Sequence, residues 1–451
     1  MDLWFRKWLC AEFGLALILA AALWGIAFPD GIAVIYLLLV VYLAILIPKG
    51  KIRIRIHPFS IMFYCCIFLF FWGLLLSDDA LDYKVVEVDM NRIKWCLVFM
   101  AIVYGGLHEL NFHKFLDLSK KVVVFFMFIL SVIGLYKFYL LLHGVHLPLF
   151  YFRERYAYGT VLSSDMNMFS LAMLIGLVMA LSLFHRAGKL KYRLMYLVPI
   201  VSFTATIFFS GSRRGFILTM LVFAIVLFKV IKSHISKIRF ARWIPFLYFT
   251  LFIGTILFAV AYISDNNVIS KFTSSMDQKQ FSYTLSRFTT ISPDNIDSTF
   301  SSRSDRWTYA VQMLHQETSL VQFLFGSGFD YVGIYRDVFT TTYIEDYPHN
   351  PILSALLYSG VVGGLTLTLM CVYTFYNLFK YRKHTGLHFI LIYCIAFFYI
   401  MISGNSVFSY LIFVFLMILV NEVPYIVGEK KLKESTLVLN CPQSDRNLQK
   451  A

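Results

Sequence analysis

The stretch MFSLAMLIGLVMALSLFHRAGKLKYR (168–193) contains the pattern that decides the fold of this chain. Its first part, 168–184, is apolar and uncharged, and the loop that follows, 185–193, is basic. A helix that crosses the hydrocarbon core of a bilayer needs about 20 mostly apolar residues. Loops on the cytoplasmic side of a membrane are enriched in Lys and Arg. The stretch therefore predicts a membrane helix that ends in the cytoplasm.

The composition of the whole chain agrees with this interpretation. Of its 451 residues, 59% are hydrophobic and only 15% are charged, whereas soluble domains carry roughly 25% charged residues. This composition excludes a soluble globular enzyme and a disordered chain. The net charge of +14 comes with basic residues in short loops between apolar runs, so it indicates membrane topology and not nucleic-acid binding. The seven cysteines show neither a pairing pattern nor zinc spacing.

Similar apolar runs recur along the chain and predict an all-α integral membrane protein with about twelve transmembrane helices. The predicted spans are 8–28, 32–48, 59–76, 93–107, 122–142, 168–184, 194–210, 216–231, 244–263, 351–379, 386–402 and 406–423. Basic loops fall on alternate sides of these spans, at 49–55, 113–121, 185–193, 232–242 and 380–384. This alternation predicts that both termini are cytoplasmic.

One connection, 264–350, is far longer than the others, and loops of that length are usually functional. Within it, Trp307, Val311 and Leu314 recur at helical spacing and predict a helix that begins near Ser302 or Ser304. The predicted organisation is given by four ranges: membrane helices 1–9 in 1–263, a large helical extracytoplasmic loop in 264–350, membrane helices 10–12 in 351–423, and a cytoplasmic tail in 424–451.

This topology brings several basic side chains from distant parts of the sequence to the outer face, where basic residues are normally depleted. They are Arg153, Arg155, Arg213, Arg214, Arg303, Arg306 and His349. Guanidinium groups stay charged at any working pH and match phosphate oxygens bidentately. Several arginines at one membrane face therefore predict a diphosphate-binding site. A neutral imidazole beside them could accept a proton.

Each of these residues also has a structural interpretation. The arginine pair of SGSRRG (210–215) could be an interfacial anchor, and His349 could be a hydrogen-bonded histidine at the start of a helix. Arg303 and Arg306 could lie on a solvated helix face, and Arg153 and Arg155 could form ion pairs in their loop.

Charges inside the predicted spans bear on a transporter as the alternative class. Lys137 lies near the outer end of its span, and snorkelling towards the headgroups is its simplest explanation. The spans otherwise lack an evident buried Asp or Glu, which argues against proton-coupled transport and against a carboxylate-bound metal. Asp165 and Asn167 fit a helix cap as well as they fit catalysis.

Five motifs in the region 150–380 together resemble a known family. HNPILSALLYSGVVG (349–363) has a His-Asn pair followed by Gly360 and Gly363. The other four motifs are RERYAYGTVLSSDMNMFS (153–170), FFSGSRRGFIL (208–218), SSRSDRWTYA (301–310) and LFGSGFD (324–330). In this order they resemble the O-antigen ligase and polymerase superfamily of bacterial envelope glycosyltransferases. The two glycines of the first motif are expected to allow close helix approach.

The resemblance implies a GT-C-like membrane fold and an enzyme of polysaccharide or lipopolysaccharide biosynthesis in the bacterial inner membrane. Such an enzyme moves an oligo- or polysaccharide from undecaprenyl diphosphate to an acceptor hydroxyl at the outer face, by a metal-independent, inverting transfer without a cofactor. By position, His349 would be the base, and Arg213 and Arg303 would hold the diphosphate. The remaining candidates would bind substrate: Arg153, Arg155, Arg214, Arg306 and Asn350. Alignment on Ser212 favours Arg213 over Arg214.

The resemblance leaves the acceptor open. A ligase would use lipid A-core or another final acceptor, and a repeat-unit polymerase would use a second lipid-linked glycan; the His-Asn motif and the single large loop favour the ligase slightly. A polysaccharide or lipid transporter or flippase is a more distant alternative, and a non-catalytic assembly subunit is a third. Membrane lipids and other polysaccharide assembly proteins are the further expected partners, whereas nucleic acid is not.

Overall fold

The computed structural model describes residues 11–28, 56–107, 111–145, 147, 159–163, 165–235, 293–316, 319–339 and 345–439. Throughout these ranges the chain is helical apart from turns and short connections, and they contain no strand. Two predicted spans, 32–48 and 244–263, lie outside the described residues. The other predicted spans each overlap a helix.

The first nine helices of the described ranges run from the start of the bundle to the LFGSGFD turn. They are α1 (Ala11–Ala27), α2 (Pro58–Leu75), α3 (Lys84–Leu107), α4 (Phe112–Leu142), α5 (Met166–Arg186), α6 (Leu190–Phe209), α7 (Arg213–Ile235), α8 (Pro293–Gln316) and α9 (Leu320–Phe325). The later helices are α10 (Tyr331–Phe339), α11 (Pro351–Lys380), α12 (Arg382–Thr385), α13 (Leu387–Ser403) and α14 (Leu411–Leu439). Short 3₁₀ turns at Ala80–Asp82 and Val407–Ser409 complete the described elements.

Within the described ranges, six helical segments are long and apolar enough to cross a membrane. They are Pro58–Leu75, Phe112–Leu142, Met166–Arg186, Leu190–Phe209, Pro351–Lys380 and Leu411–Gly428. Two shorter apolar helices, Glu12–Ala27 and Leu387–Ser403, accompany them. The predicted class, an all-α integral membrane protein, is therefore confirmed. The number of twelve spans stays a prediction.

Helix α5 is the centre of the bundle, and its apolar window is 83% buried. Small residues let its neighbours approach closely. A Cβ atom added to Gly176 would lie 3.1 Å from Cβ of Met127 on α4, and one added to Gly215 on α7 would lie 2.7 Å from Cβ of Ser170 on α5. The glycine of the SGSRRG turn thus seats the start of α7 directly against the central helix.

Helix α11 is broken near its middle. Ser359 (φ −133°, ψ 15°) and Gly360 (φ 65°, ψ −166°) leave the helical conformation. The end of α9 packs into this break: a Cβ atom on Gly360 would lie 2.4 Å from the carbonyl carbon of Leu324, and the Ser327 amide donates to the Leu357 carbonyl at 3.2 Å. Gly360 is therefore required by the break itself and by the approach of α9, in addition to the expected close helix packing.

Several sequence-based expectations differ from the structure. Helix α8 begins at Pro293, so Ser302 and Ser304 lie inside it and do not start it. Helix α14 continues to Leu439, so the first part of the predicted tail (424–451) is helical, and its side of the membrane stays a prediction. A helix boundary depends on tertiary packing as well as on local residue preference, so these ends could not be read from the sequence.

The charges within the spans also differ from expectation. Lys137 does not snorkel: its side chain is buried, and its ammonium donates to the Val161 carbonyl. Glu12 and Glu422 are buried too, contrary to the expectation that the spans lack buried carboxylates. Each has a basic neighbour, because Lys114 lies 3.5 Å from Glu12 and His57 lies 2.7 Å from Glu422. Partners of this kind explain how buried carboxylates are tolerated.

Candidate functional site

The candidate site is formed where four segments meet. These segments are the first turn of α7, the middle of α8, the connection 345–350 before α11, and the end of α13 with the turn that follows it. Local capping fixes two of them. The Asn350 side chain accepts hydrogen bonds from the amides of Ile352 (2.9 Å) and Leu353 (3.2 Å), with Pro351 in the first turn of α11. Ser212 caps α7 by accepting from the Gly215 amide at 3.2 Å.

The end of α13 receives side chains from three of these segments. The Arg214 guanidinium donates to the Ser403 hydroxyl. Nη1 of Arg303 donates to the Ile402 carbonyl at 2.8 Å. The Ser403 backbone lies close enough to the His349 ring to act on its pKa, in the raising direction. Two arginines and the histidine of the predicted site therefore converge on a single turn of backbone.

Helix α8 also holds the connection that carries His349. Nη2 of Arg306 donates to Oδ2 of Asp346 at 2.6 Å, and the Trp307 indole donates to the Pro348 carbonyl at 3.0 Å. Tyr335 of α10 supports the same turn, because its hydroxyl donates to the Arg306 carbonyl at 2.9 Å. The predicted Arg-x-x-x-Trp helix therefore positions His349 through its hydrogen bonds to Asp346 and Pro348.

The backbone of His349 is strained. Its φ of 57° lies in the left-handed region, where, among the described residues, it is the one non-glycine. Its Nε2 atom lies 3.9 Å from Oδ1 of Asp346, and its ring packs edge-on against Tyr347 with centroids 4.5 Å apart. The side chain keeps 25% of its surface exposed, so a substrate can reach the ring. Strain of this kind persists only where surrounding contacts hold it, as they do here.

The electrostatics of the site are dominated by cations. Burial, followed by the charges of Arg306 and Arg303, lowers the pKa of His349 to about 3. Burial, followed by the charges of Arg214 and Arg306, lowers the pKa of Arg303 to about 10. At neutral pH the imidazole is thus neutral and the guanidinium is charged. The site holds a positive charge that an anion would relieve.

The turn SGNS (403–406) was missed by the sequence interpretation. Asn405 is buried and its side-chain oxygen accepts hydrogen bonds from the hydroxyls of Tyr331 (2.8 Å) and Ser354 (2.5 Å). These bonds tie the turn to α10 and α11 and so fix the acceptors used by Arg214 and Arg303. A Gly-Asn pair after an apolar run is a turn signal that could have marked the segment, but nothing in it identifies the partners.

The remaining predicted residues are placed as follows. Arg213 is half-buried in the first turn of α7, beside Arg214. The charge of Arg214 acts on both His349 and Arg303. Asn167 accepts a hydrogen bond from the Ser212 hydroxyl at 3.0 Å, and Asp165 caps α5. Arg153 and Arg155 lie outside the described residues. Across the part of the chain that is described, no group of three His, Cys, Asp or Glu side chains is arranged to hold a metal ion.

Comparison with known proteins bears on the resemblance. Residues 197–368 match a protein-family model described as O-antigen ligase. The matched region contains the arginine turn, the Arg-x-x-x-Trp helix, the Gly-x-Gly turn and the His-Asn motif. The predicted resemblance to the O-antigen ligase and polymerase superfamily is therefore confirmed over this region, and the match supports an activity of the ligase or polymerase type in general. No curated protein matches the chain.

Proposed function

We propose that this protein is an O-antigen ligase-like glycosyltransferase that moves an oligo- or polysaccharide from undecaprenyl diphosphate to an acceptor hydroxyl. The reaction would take place at the outer face of the bacterial inner membrane, with both termini of the chain in the cytoplasm. The observation that carries the proposal is the convergence of Arg214, Arg303 and His349 on Ile402 and Ser403. It supports a reaction that needs fixed cations and a neutral base side by side.

The arginines are suited to the donor. The bond that breaks joins the anomeric carbon of the glycan to an oxygen of the diphosphate, and the diphosphate leaves with the electron pair. Guanidinium groups that are already fixed by the protein stabilise that charge without reorganising during the step. Arg214 and Arg303 are held by acceptors on α13, so they meet this requirement. Arg213 and Arg306 flank them as further candidates for phosphate contact.

His349 is suited to the acceptor. Its neutral imidazole would take the proton of the acceptor hydroxyl while the hydroxyl oxygen forms the new bond to the anomeric carbon. Attack from the face opposite the diphosphate gives inversion. A pKa of about 3 describes a weak base. A bound diphosphate would offset the neighbouring guanidinium charges and raise the pKa of His349, so base strength would rise only after the donor has bound.

The proposed chemistry serves a ligase and a repeat-unit polymerase equally. The ligase assignment is supported by the family description of the matched region and by the His-Asn motif. For the ligase the acceptor would be lipid A-core or another final acceptor. For the polymerase it would be a second lipid-linked repeat. Proton-coupled transport has less support, because Glu12 and Glu422 have basic partners and lie in other parts of the chain.

The test is deletion of the gene in its native host and complementation with wild type, His349→Ala or His315→Ala. His315 is exposed on α8 and serves as the matched control. Wild type and the control should restore the envelope glycan, and His349→Ala should not, at equal membrane levels of protein. Long glycan retained on the lipid carrier in the deletion strain would identify a ligase, and a ladder reduced to single repeats a polymerase. Restoration of the glycan by His349→Ala would overturn the assignment of His349 as the base. An unchanged glycan profile in the deletion strain would overturn the whole proposal.

A further inference from the structure

A cavity of about 190 Å³ lies at the end of the bundle opposite His349. It is enclosed by the end of α5, the second half of α7 and the start of α13. The other ends of these helices carry Asp165, Arg214 and Ser403 of the candidate site. Because α5 has 21 residues and a helix rises 1.5 Å per residue, the two ends are about 30 Å apart. This is the thickness of a bilayer core.

The walls of the cavity are apolar and its rim is cationic. The walls are formed by Val178, Leu181, Val222, Val226 and Leu391. Basic or imidazole side chains line it at His185, Arg186, Lys229 and His388. Phe228 and Leu221 of α7 are exposed beside it, with 51% and 48% of their surface accessible. A cavity with a cationic rim and apolar walls is complementary to an amphipathic anion.

Among the described residues, the positive charges around the cavity outnumber the negative ones. The charged groups that act on the His388 ring are Lys120, Arg186, Lys229 and Asp117. Asp117 is shared, because Arg186 lies 2.5 Å and Lys120 lies 3.3 Å from its Oδ1 atom. Lys120 is itself buried, with only 1% of its side chain exposed. In addition, Nε2 of His388 is buried and has no hydrogen-bond partner within the described ranges. An excess of cations beside an unpaired buried nitrogen favours an anionic, hydrogen-bonding ligand.

We propose that this cavity binds the phosphate headgroup of an anionic phospholipid. The volume supports a headgroup and not a complete small molecule, since pockets for drug-sized ligands measure about 300–1,000 Å³. The acyl chains would lie along the exposed apolar face of α7. Basic pockets between membrane helices on the cytoplasmic side recognise anionic lipids by this combination. The proposal uses the predicted topology, which puts this end in the cytoplasm, but it is independent of the transfer chemistry.

The lipid would hold together three helices whose opposite ends form the candidate site. Helix α7 carries Arg214, and α13 carries the Ser403 acceptor. A ligand bridging Lys229 on α7 and His388 on α13 would therefore stabilise the pair of helices on which the arginine geometry depends. Binding to the folded state alone raises the temperature of unfolding.

The experiment is native mass spectrometry of the full-length protein in detergent, titrated with phosphatidylglycerol, phosphatidylethanolamine or inorganic phosphate. Phosphatidylglycerol should bind more tightly than phosphatidylethanolamine and should raise the melting temperature. Lys229→Gln should weaken phosphatidylglycerol binding about fivefold, since one cation near the headgroup contributes on that scale. Lys229→Arg should retain binding.

The matched control is Lys383→Gln on α12, which removes a charge from an exposed lysine outside the cavity. A second variant, Val226→Phe, fills the cavity without changing its charge and should also abolish binding; it keeps the test valid if Lys229→Gln fails to fold. Equal binding of the two lipids, or equal weakening by Lys383→Gln, would overturn the proposal. Displacement of phosphatidylglycerol by inorganic phosphate would assign the site to a soluble anion instead. None of these outcomes depends on glycosyl transfer.

Discussion

The guanidinium of Arg306 donates a hydrogen bond to the Asp346 carboxylate at 2.6 Å, and the other oxygen of that carboxylate lies 3.9 Å from Nε2 of His349. The pKa of Asp346 is raised above its ordinary value, because the effect of burial exceeds the opposing effect of the nearby Arg306 charge. One carboxylate thus links an arginine of the outer helix α8 to the candidate base. Asp346 is only 6% exposed, so water has little access to its carboxylate, and loss of either partner would leave a buried polar group without a hydrogen bond.

The first prediction concerns this carboxylate. Asp346→Asn should lower the free energy of unfolding by about 2 kcal/mol, because it leaves a partly buried guanidinium without its counter-charge. It should also reduce transfer, because the connection that carries His349 loses its anchor. Thermal unfolding and a transfer assay on the same preparation measure the two effects. Asp337→Asn is the control, since Asp337 forms its 2.7 Å ion pair with Arg336 at the surface. Equal stability of the two variants would contradict the prediction.

The second prediction separates the adjacent arginines of the SGSRRG turn. Arg214→Ala should reduce transfer by about 100-fold, the scale expected for loss of one fixed donor to a leaving group. Arg213→Ala should reduce it less, because Arg214 is held by the Ser403 hydroxyl and its charge acts on both Arg303 and His349. Initial rates of transfer from a purified lipid-linked donor show which of the two variants loses more activity. A larger loss for Arg213→Ala would favour the alignment on Ser212 over the geometry.

The third prediction concerns pH. In the folded protein the pKa of His349 is lowered to about 3, whereas its ordinary value is 6.5. Below pH 6.5 the His349 side chain is therefore protonated in the unfolded chain and still neutral in the folded chain. The free energy of unfolding falls as the pH drops towards 3. His349→Gln removes this contribution, so its melting temperature should fall less than that of wild type between pH 7.5 and pH 4.5. His315→Gln, at an exposed position, should follow wild type. Parallel curves for all three proteins would show that the pKa of His349 is not lowered.

The fourth prediction concerns the break in α11. Gly360→Ala should destabilise the protein by about 1–3 kcal/mol, because its positive φ disfavours a side chain and its Cβ would lie 2.4 Å from backbone of α9. Gly188→Ala is the control, since no atom lies within 4 Å of the Cβ that it would add. Thermal unfolding in detergent compares the two. An unaffected Gly360→Ala protein would mean that the break is not needed.

The sequence could predict the features that depend on local patterns. Hydropathy marks the spans because every membrane helix must match the same bilayer thickness. The bias of basic loops led to the expectation that His349 and six arginines lie at one face, with Arg213 preferred to Arg214. Lys137 was misjudged because burial depends on what packs around a residue. Its acceptor, the carbonyl of Val161, belongs to a segment distant in sequence.

The site residues that were missed share this dependence on tertiary structure. Asp346 and Asn405 are ordinary loop residues in sequence, and their roles arise only where two segments meet. Asn405 accepts from Tyr331 and from Ser354, neither of which is near it along the chain. Motif resemblance identifies groups that contact substrate more readily than it identifies the groups that hold them, because the latter take their function from packing.

The interruption of α11 at Gly360 also couples two neighbouring helices to the connection that carries His349. The helical segment that follows His349 is separated from the rest of α11 by the break, and α9 fills the gap between them. That segment is joined to the turn after α9 by the hydrogen bond of Ser327 to Leu357, and the connection before it is joined to α8 by the hydrogen bond of Trp307 to Pro348. A movement of α8 or α9 would therefore carry His349 with it, so the position of the histidine and the packing of these helices form one mechanical unit.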